Sequence, residues 1–242
     1  MSSSALQIKT QRAMILTFLR GEYRSYRSLL GKVPALALTA FILAVVSMNL
    51  LANKELFHTS WVALDCGFVL SWIPFLLMDC FCKVYGGRDA VRISVLAIAV
   101  NLLVFLIFKF VSLTPGMWGS YYATGLDEVN AALNSTIGGS SWIVLGSALA
   151  MLFSSITNSL VNMSIAALLH NDGFREFAMR SFVSTALAQF VDNLTFALVV
   201  SVPLFGWTFR QTLFCSLTAA AFELLMEILF SRFGYKLARN WK

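Results

Sequence analysis

Six apolar stretches, at residues 33–51, 62–82, 93–113, 142–169, 181–203 and 211–230, each run for about the length of a membrane crossing with few or no charges. A hydrocarbon layer about 30 Å thick takes roughly 20 residues of α-helix to cross. Lipid offers a peptide group no water to bond, so each stretch must satisfy its own backbone as a helix. A β-barrel does not fit, because its strands alternate in polarity over only ~10 residues and these runs are continuous. Composition points the same way: 58% of the chain is apolar and 12% charged, with mean hydropathy +0.76, more apolar surface than one water-soluble core of this size can hide. The expected fold is an all-α integral membrane protein with six transmembrane helices.

A formal charge of +6 invites a nucleic-acid reading, but the placement of the basic residues gives a different one. Lys9, Arg12, Arg20, Arg24, Arg27 and Lys32 precede the first run; Lys83, Arg88 and Arg92 follow the second; Arg175 and Arg180 follow the fourth; Arg232, Lys236, Arg239 and Lys242 follow the sixth. Fifteen of the 18 Lys and Arg residues therefore fall on one side of the membrane, and the positive-inside rule places that side, with both termini, in the cytoplasm. The opposite side is poor in positive charge: the loop 114–141 carries Asp127 and Glu128 and no Lys or Arg, and Trp61, Trp118, Trp142 and Trp207 stand near outer span ends like an aromatic belt. Residues 1–32 read as a basic cytoplasmic leader with no cleavable signal peptide, in which 13–19 form an interfacial helix on the lipid surface. Residues 33–232 are the six-helix domain and 233–242 a basic cytoplasmic tail.

Ionisable groups in the middle of a span cost something like 2.5–3.5 kcal/mol each on insertion scales, so they mark function by default. Here they are Asp79, Lys109, Asp192, Glu223 and Glu227, with Asn158, Asn162 and Gln189 beside them as uncharged hydrogen-bonding groups. Gln189 and Asp192 are spaced i, i+3, and Phe196 extends their face; Glu223 and Glu227 are i, i+4; Ser155 and Asn158 are i, i+3. Three spans thus present polar stripes at similar depth, which lipid turns inward around a common cavity. Asn162, Ser155 and Gln189 have an equally good reading as interhelical glue, at about 0.6 kcal/mol apiece. Asp79, near the inner end of its run, pairs with Lys83 four residues on or serves as a ligand group; Asp65 reads as solvated and Lys109 as snorkelling outward. Cys80 and Cys82, two apart on a helix, face nearly opposite ways and cannot share a metal ion, while the pairing of Cys66 with Cys215 stays open.

The run containing Ser71, Trp72, Pro74, Phe75, Asp79, Lys83, Tyr85, Gly86, Gly87, Arg88, Ala90 and Arg92 resembles the most recognisable stretch of the VUT family of queuosine precursor transporters. That family has a Pro-Phe span ending in Asp, then an aromatic-Gly pair and an Ala-x-Arg start to the next helix. Ser184, Thr185, Gln189, Asp192 and Phe196 carry a second resemblance, and the likeness extends over about residues 41–238. Two positions depart from the family pattern. Its fourth span has an Arg at the start and Gln-x-x-Asp where this chain has Trp142 and Ser155 with Asn158; its sixth has Lys-x-x-x-Glu where this chain has Glu223 and Glu227. Glu227 therefore carries over and Glu223 does not.

The resemblance implies import, across a bacterial inner membrane, of a 7-deazaguanine base such as preQ0 or preQ1 for salvage into modified tRNA. A guanine-like edge offers neighbouring N–H donors to one carboxylate, and a flat base stacks on aromatic rings. On that reading Asp192 or Glu227 accepts the edge, Asn158 and Gln189 read the carbonyl and ring nitrogens, Trp72, Phe75 or Phe196 forms the wall, and Glu223 or Asp79 supplies further charge. The expected partners are a purine-like small molecule and the lipid bilayer, with no nucleic acid and no cofactor; a homodimer through small-residue faces stays open. The alternative is a substrate-binding membrane subunit of an energy-coupling-factor type importer, for which Ala40 and Ala44 offer a small docking face. An enzyme is not expected: there is no His-rich metal spacing, no nucleophile with a base and no phosphate-binding Gly loop, and His58 and His170 fall on opposite sides. Gly138 and Gly139 read as the flexible start of the fourth span.

Overall fold

The computed structural model describes residues 3–59, 61–114, 127–138, 141–169 and 173–241. The readings made on Trp118, Gly139, His170 and Lys242 lie outside the described residues. In chain order the elements are α1 (Ser3–Leu30), α2 (Ala35–Leu51), β1 (Glu55–His58), β2 (Ala63–Asp65), α3 (Phe68–Tyr85), α4 (Gly87–Val111), α5 (Asp127–Gly138), α6 (Ser141–Leu168), α7 (Phe174–Phe196), a π-helical turn (Ala197–Ser201), α8 (Val202–Phe205) and α9 (Phe209–Asn240). Five of the described helical segments are long and apolar enough to cross a membrane, and the bent pair Met14–Leu30 and Ala35–Leu51, turned through 112°, brings the number to six.

α3 is the axis of the bundle, packed against α2, α4, α6, α7 and α9. It runs parallel to α9: Phe68 lies 4.5 Å from Phe222, Trp72 stacks on Phe230 at 4.4 Å, and the Cys80 thiol donates to the Gly234 carbonyl at 3.2 Å. α6 and α7 run antiparallel, with Ser154 beside Asp192 and Asn162 beside Ser184. An apolar cluster of Phe41, Val45, Phe75, Met78, Phe81 and Ile93 joins α2, α3 and α4.

Lipid as solvent shows in what is hidden. Leu103, Leu106 and Phe110 on α4 are exposed while Asn101 on the same helix is buried, and Leu160 on α6 is exposed while Asn158 and Asn162 are buried. Apolar side chains lose nothing by facing hydrocarbon, so these polar residues turn inward, beside the apolar cluster, to pair with one another.

Several boundaries differ from the hydropathy runs. The second run does not begin as helix: Ala63–Asp65 pairs antiparallel with Glu55–His58, and α3 starts only at Phe68. Asp65, expected in solvent, is half-buried and accepts the Gly67 N–H at 2.7 Å; burial pushes its carboxyl up to about 6, against the backbone N–H bonds of Gly67 and Phe68, which favour the anion. α7 starts seven residues before the fifth run, and α9 continues through the expected tail to Asn240, because Gly234 and Ala238 pack against Leu76, Cys80 and Phe177. Residues 13–19 form part of the longer α1, whose Met14, Phe18 and Leu19 are exposed. α1 is tied to the bundle where Arg92 donates to both Glu22 oxygens at 2.9 and 3.0 Å and to Asp89 at 2.7 Å.

Lys109 donates to the Gly138 carbonyl at 3.0 Å and so caps α5 rather than snorkelling freely. Beyond α7, Pro203 of α8 has no N–H for the Val199 carbonyl four residues back in the π-helical turn; Trp142 supplies one from Nε1 at 2.8 Å. All four cysteines are free: Cys82 faces Ser159 on α6, opposite to Cys80, and Cys215 accepts from the Ala63 N–H.

The start of α3 depends on a glycine. A Cβ at Gly67 would lie 2.3 Å from the backbone oxygen of Met48, which cannot rotate away. Gly67→Ala is expected to cost about 1–3 kcal/mol, read as a lower melting temperature of the purified protein in detergent. Gly21→Ala, at an open position in α1, is the control and should leave it unchanged or raise it slightly.

Candidate functional site

α3 carries one carboxylate into the middle of the bundle, and α6 and α7 are lined with donors where they meet it. Asp79 is fully buried. Its Oδ1 accepts from Asn158 Nδ2 at 2.8 Å, from Asn162 Nδ2 at 3.2 Å and from the Ser184 hydroxyl at 3.4 Å; its Oδ2 accepts from Thr185 Oγ1 at 3.0 Å and from the Ser181 hydroxyl. Ser181, Ser184 and Thr185 follow one another at i, i+3 and i+4, and Asn158 and Asn162 at i, i+4, so each set occupies one helix face. A carboxylate has about four lone-pair positions, and here they are taken. Asp79 is therefore a fully occupied anchor, not a pair with Lys83 at the surface. Lys83 instead lies over the rings of Phe177 and Tyr235, at 5.5 and 5.4 Å from their centroids.

Glu227 reaches the same point from α9. Its Oε1 lies 2.7 Å from the Ser181 oxygen, so one hydroxyl bridges the carboxyls of α3 and α9. A second polar tier lies toward the N-terminal end of α9. Glu223 accepts from Asn193 Nδ2 at 3.1 Å, and half-buried Asp192 accepts from Ser154 Oγ at 2.7 Å. Gln189 sits between the tiers, one turn beyond Thr185, with its side chain fully buried.

What the tiers leave open is as informative as what they bond. Both Gln189 polar atoms, Asn158 Oδ1, Asn162 Oδ1, Ser155 Oγ and Glu227 Oε2 are buried without a hydrogen-bond partner. The Asn orientations follow from Asp79: each amide must turn its NH2 toward the carboxylate, which leaves its carbonyl oxygen directed elsewhere. Each such orphan costs about 1–3 kcal/mol, and a group of them within two helical turns is a place that water or a ligand completes.

The aromatic residues distribute differently. Trp72 has one face stacked on Phe230 and donates Nε1 to the Val69 carbonyl; Phe75 is buried in the apolar cluster with Phe41 and Met78; Phe196 is half-buried at the junction with the π-helical turn. Of the residues expected at a site, Asp79, Asn158, Gln189, Glu223, Glu227 and Asp192 come together along the facing sides of α3, α6, α7 and α9. Ser181, Ser184, Thr185, Ser154 and Asn193 join them without having been expected at the site, although Ser184 and Thr185 carry part of the family resemblance and the i, i+3, i+4 spacing of Ser181, Ser184 and Thr185 was legible. Among the described residues no cluster of His, Cys, Asp and Glu suits a metal ion.

A multi-helix bundle with lipid-facing leucines outside and a closed, incompletely bonded polar centre inside defines a multi-pass membrane protein. Residues 65–239 match the profile of the putative vitamin uptake transporter family, and the chain belongs to that family. No curated protein and no solved structure matches it.

The two aspartates should separate in stability. Asp79→Ala removes the acceptor that Asn158, Asn162, Thr185 and Ser181 share in a fully buried site and is expected to cost about 3 kcal/mol or more. Asp192→Asn, at a half-buried position bonded by the Ser154 hydroxyl, is expected to cost about 1 kcal/mol or less. Melting of the two purified variants in the same detergent measures both.

Proposed function

We propose that this protein imports a 7-deazaguanine base, a queuosine precursor of the preQ0 or preQ1 type, across a bacterial inner membrane, with the basic face and both termini in the cytoplasm. The observation that carries the reading is the set of buried, unpartnered polar atoms around Gln189. Gln189 offers one acceptor and one donor, as an amide-like base edge requires. Asn158 Oδ1, Asn162 Oδ1 and Glu227 Oε2 add acceptors for the neighbouring N–H groups of a guanine-like ring. Binding a ligand there replaces missing hydrogen bonds, so a base that fits is favoured over one lacking the same N–H and C=O groups by more than its contact area suggests. Glu223 and Asp192, in the adjoining tier, suit an aminomethyl cation on such a base, and half-buried Phe196 suits its flat face. The family's vitamin-uptake description is compatible with a small heterocyclic solute.

The unpartnered polar atoms are closed off from solvent in this conformation, so uptake requires the bundle to open alternately to each side around the tiers. α7 supports such a hinge, because its hydrogen-bonding pattern already changes in the π-helical turn at Ala197–Ser201.

Uptake of labelled preQ0 and preQ1 by cells that lack both their own importer and the synthesis pathway tests the proposal. The intact chain is expected to restore uptake, and Gln189→Ala, present in the membrane at normal level, to reduce it tenfold or more by the loss of about 1.5–3 kcal/mol of buried hydrogen bonding. Membrane-inserted wild-type chain that moves neither base refutes this substrate. Copurification of ATPase subunits in that case turns the reading to the energy-coupling-factor type importer.

A further inference from the structure

The bridge between Asp79 and Glu227 contains one proton too few. Ser181 has a single hydroxyl hydrogen, yet its oxygen lies within hydrogen-bonding reach of Asp79 Oδ2 and of Glu227 Oε1. If it donates to one carboxyl, the other contact holds only when that second carboxyl brings a hydrogen of its own. The alternative is a bare carboxylate against an oxygen lone pair, with a second carboxylate close behind, which burial makes costly.

The surroundings decide which group holds the proton. Asp79 has all its lone-pair positions engaged by Asn158, Asn162, Thr185 and Ser181, with Ser184 farther off, and a proton on it would displace one of those donors. Among the described residues, Glu227 has the Ser181 contact on Oε1 and no partner on Oε2. We infer that Glu227 is a proton-binding site: it is a neutral acid in this closed conformation, donating through Oε1 to Ser181, which in turn donates to the Asp79 anion. The ligand of the site is a proton, and its exchange couples to the solute through the free Oε2.

The other titratable groups near this pair are already engaged or lie on its flanks. On α3, Cys80 donates to the Gly234 carbonyl, Cys82 faces Ser159, and Lys83 lies over Phe177 and Tyr235. On α7, Arg180 precedes Ser181 and sits 5.9 Å from the Phe177 centroid, with Nε and Nη2 buried and without a hydrogen-bond partner among the described residues, and Asp192 is held by Ser154. On α9 itself, Glu223 is held by Asn193. Asn158, Asn162 and Ser155 of α6 add no charge. A solute whose neighbouring N–H donors bond the Glu227 carboxyl favours its anion, and the aminomethyl cation in the adjoining tier supplies the compensating charge, so Glu227 releases its hydrogen to water as the solute binds. One proton leaves for each unit of charge gained, and no bond other than O–H breaks.

The exchange rests on the transport reading above, whereas the proton on Glu227 does not, and the experiment separates them. Infrared spectra of the purified protein at neutral pH are expected to contain a carboxylic-acid C=O band that disappears in Glu227→Gln and persists in Glu223→Gln. Ser181→Ala keeps every carboxyl, and is expected to shift the same band by removing its hydrogen-bond acceptor. A band that Glu227→Gln leaves untouched, or that Ser181→Ala leaves unmoved, overturns the site. Adding preQ1 to the wild-type protein in weak buffer with a pH-sensitive dye is expected to release protons in proportion to bound solute and to bleach the band. Binding with neither release nor bleaching overturns the exchange. A Glu227 band that behaves as expected in a protein that binds no preQ1 supports the proton site and removes the substrate reading alone.

Discussion

A carboxylate placed in the middle of a lipid-embedded bundle must be bonded on all sides, and Asp79 sets the terms for the helices around it. Its charge would cost something like 2.5–3.5 kcal/mol at the centre of an isolated span, and no group on α3 itself is seen to offset this. The offset comes from α6 and α7, through Asn158, Asn162, Ser181, Ser184 and Thr185. These two helices, antiparallel to each other, must therefore pack against α3 in one register, since a shift of one residue carries each donor about 100° around its helix. α9 is fixed by the same centre, because Ser181 reaches Glu227 as well.

Around this centre the interior holds serine, threonine, asparagine and glutamine side chains beside an apolar cluster, while many leucines and phenylalanines face outward. Association between spans then depends on hydrogen bonds and on the close approach of small residues, since exposure to hydrocarbon costs a leucine nothing. Gly87 against Ser159 and Met163, and Gly234 against Leu76, allow such approach. It brings α4 onto α6, and α9 onto α3, close enough for the polar tiers to connect.

The parts of the site that the sequence made legible were those that lipid makes rare. Glu227, Glu223, Asp192, Gln189 and Asn158 stand out in apolar runs because each is expensive there unless paired. Ser181, Ser184 and Thr185 did not stand out: a hydroxyl in a helix can bond back to its own backbone, as Ser184 does to the Ser181 carbonyl, so its presence in a span announces nothing. The depth of Asp79 was misjudged for a different reason. Hydropathy measures where apolar residues end, but α7 begins at Phe174 and α9 continues to Asn240, so protein extends past the apolar runs and encloses a residue that looked peripheral. Trp72 and Phe75 show a similar limit, since nothing in an aromatic residue says whether its neighbour will be a ligand, Phe230 or Phe41.

Sequence alone determined that the chain spans a membrane as helices, about where each crosses, which rare polar residues turn inward and which family it resembles, because hydropathy, backbone satisfaction and helical spacing are local properties of the chain. Only the tertiary structure decided that Asp79 is the fully bonded anchor, that Asn158 and Asn162 turn their carbonyl oxygens away from it, and that Glu227 shares a single hydroxyl with it. Hydrogen-bond completeness is a count over four helices at once, and residues 79, 158, 181 and 227 become neighbours only when those helices pack.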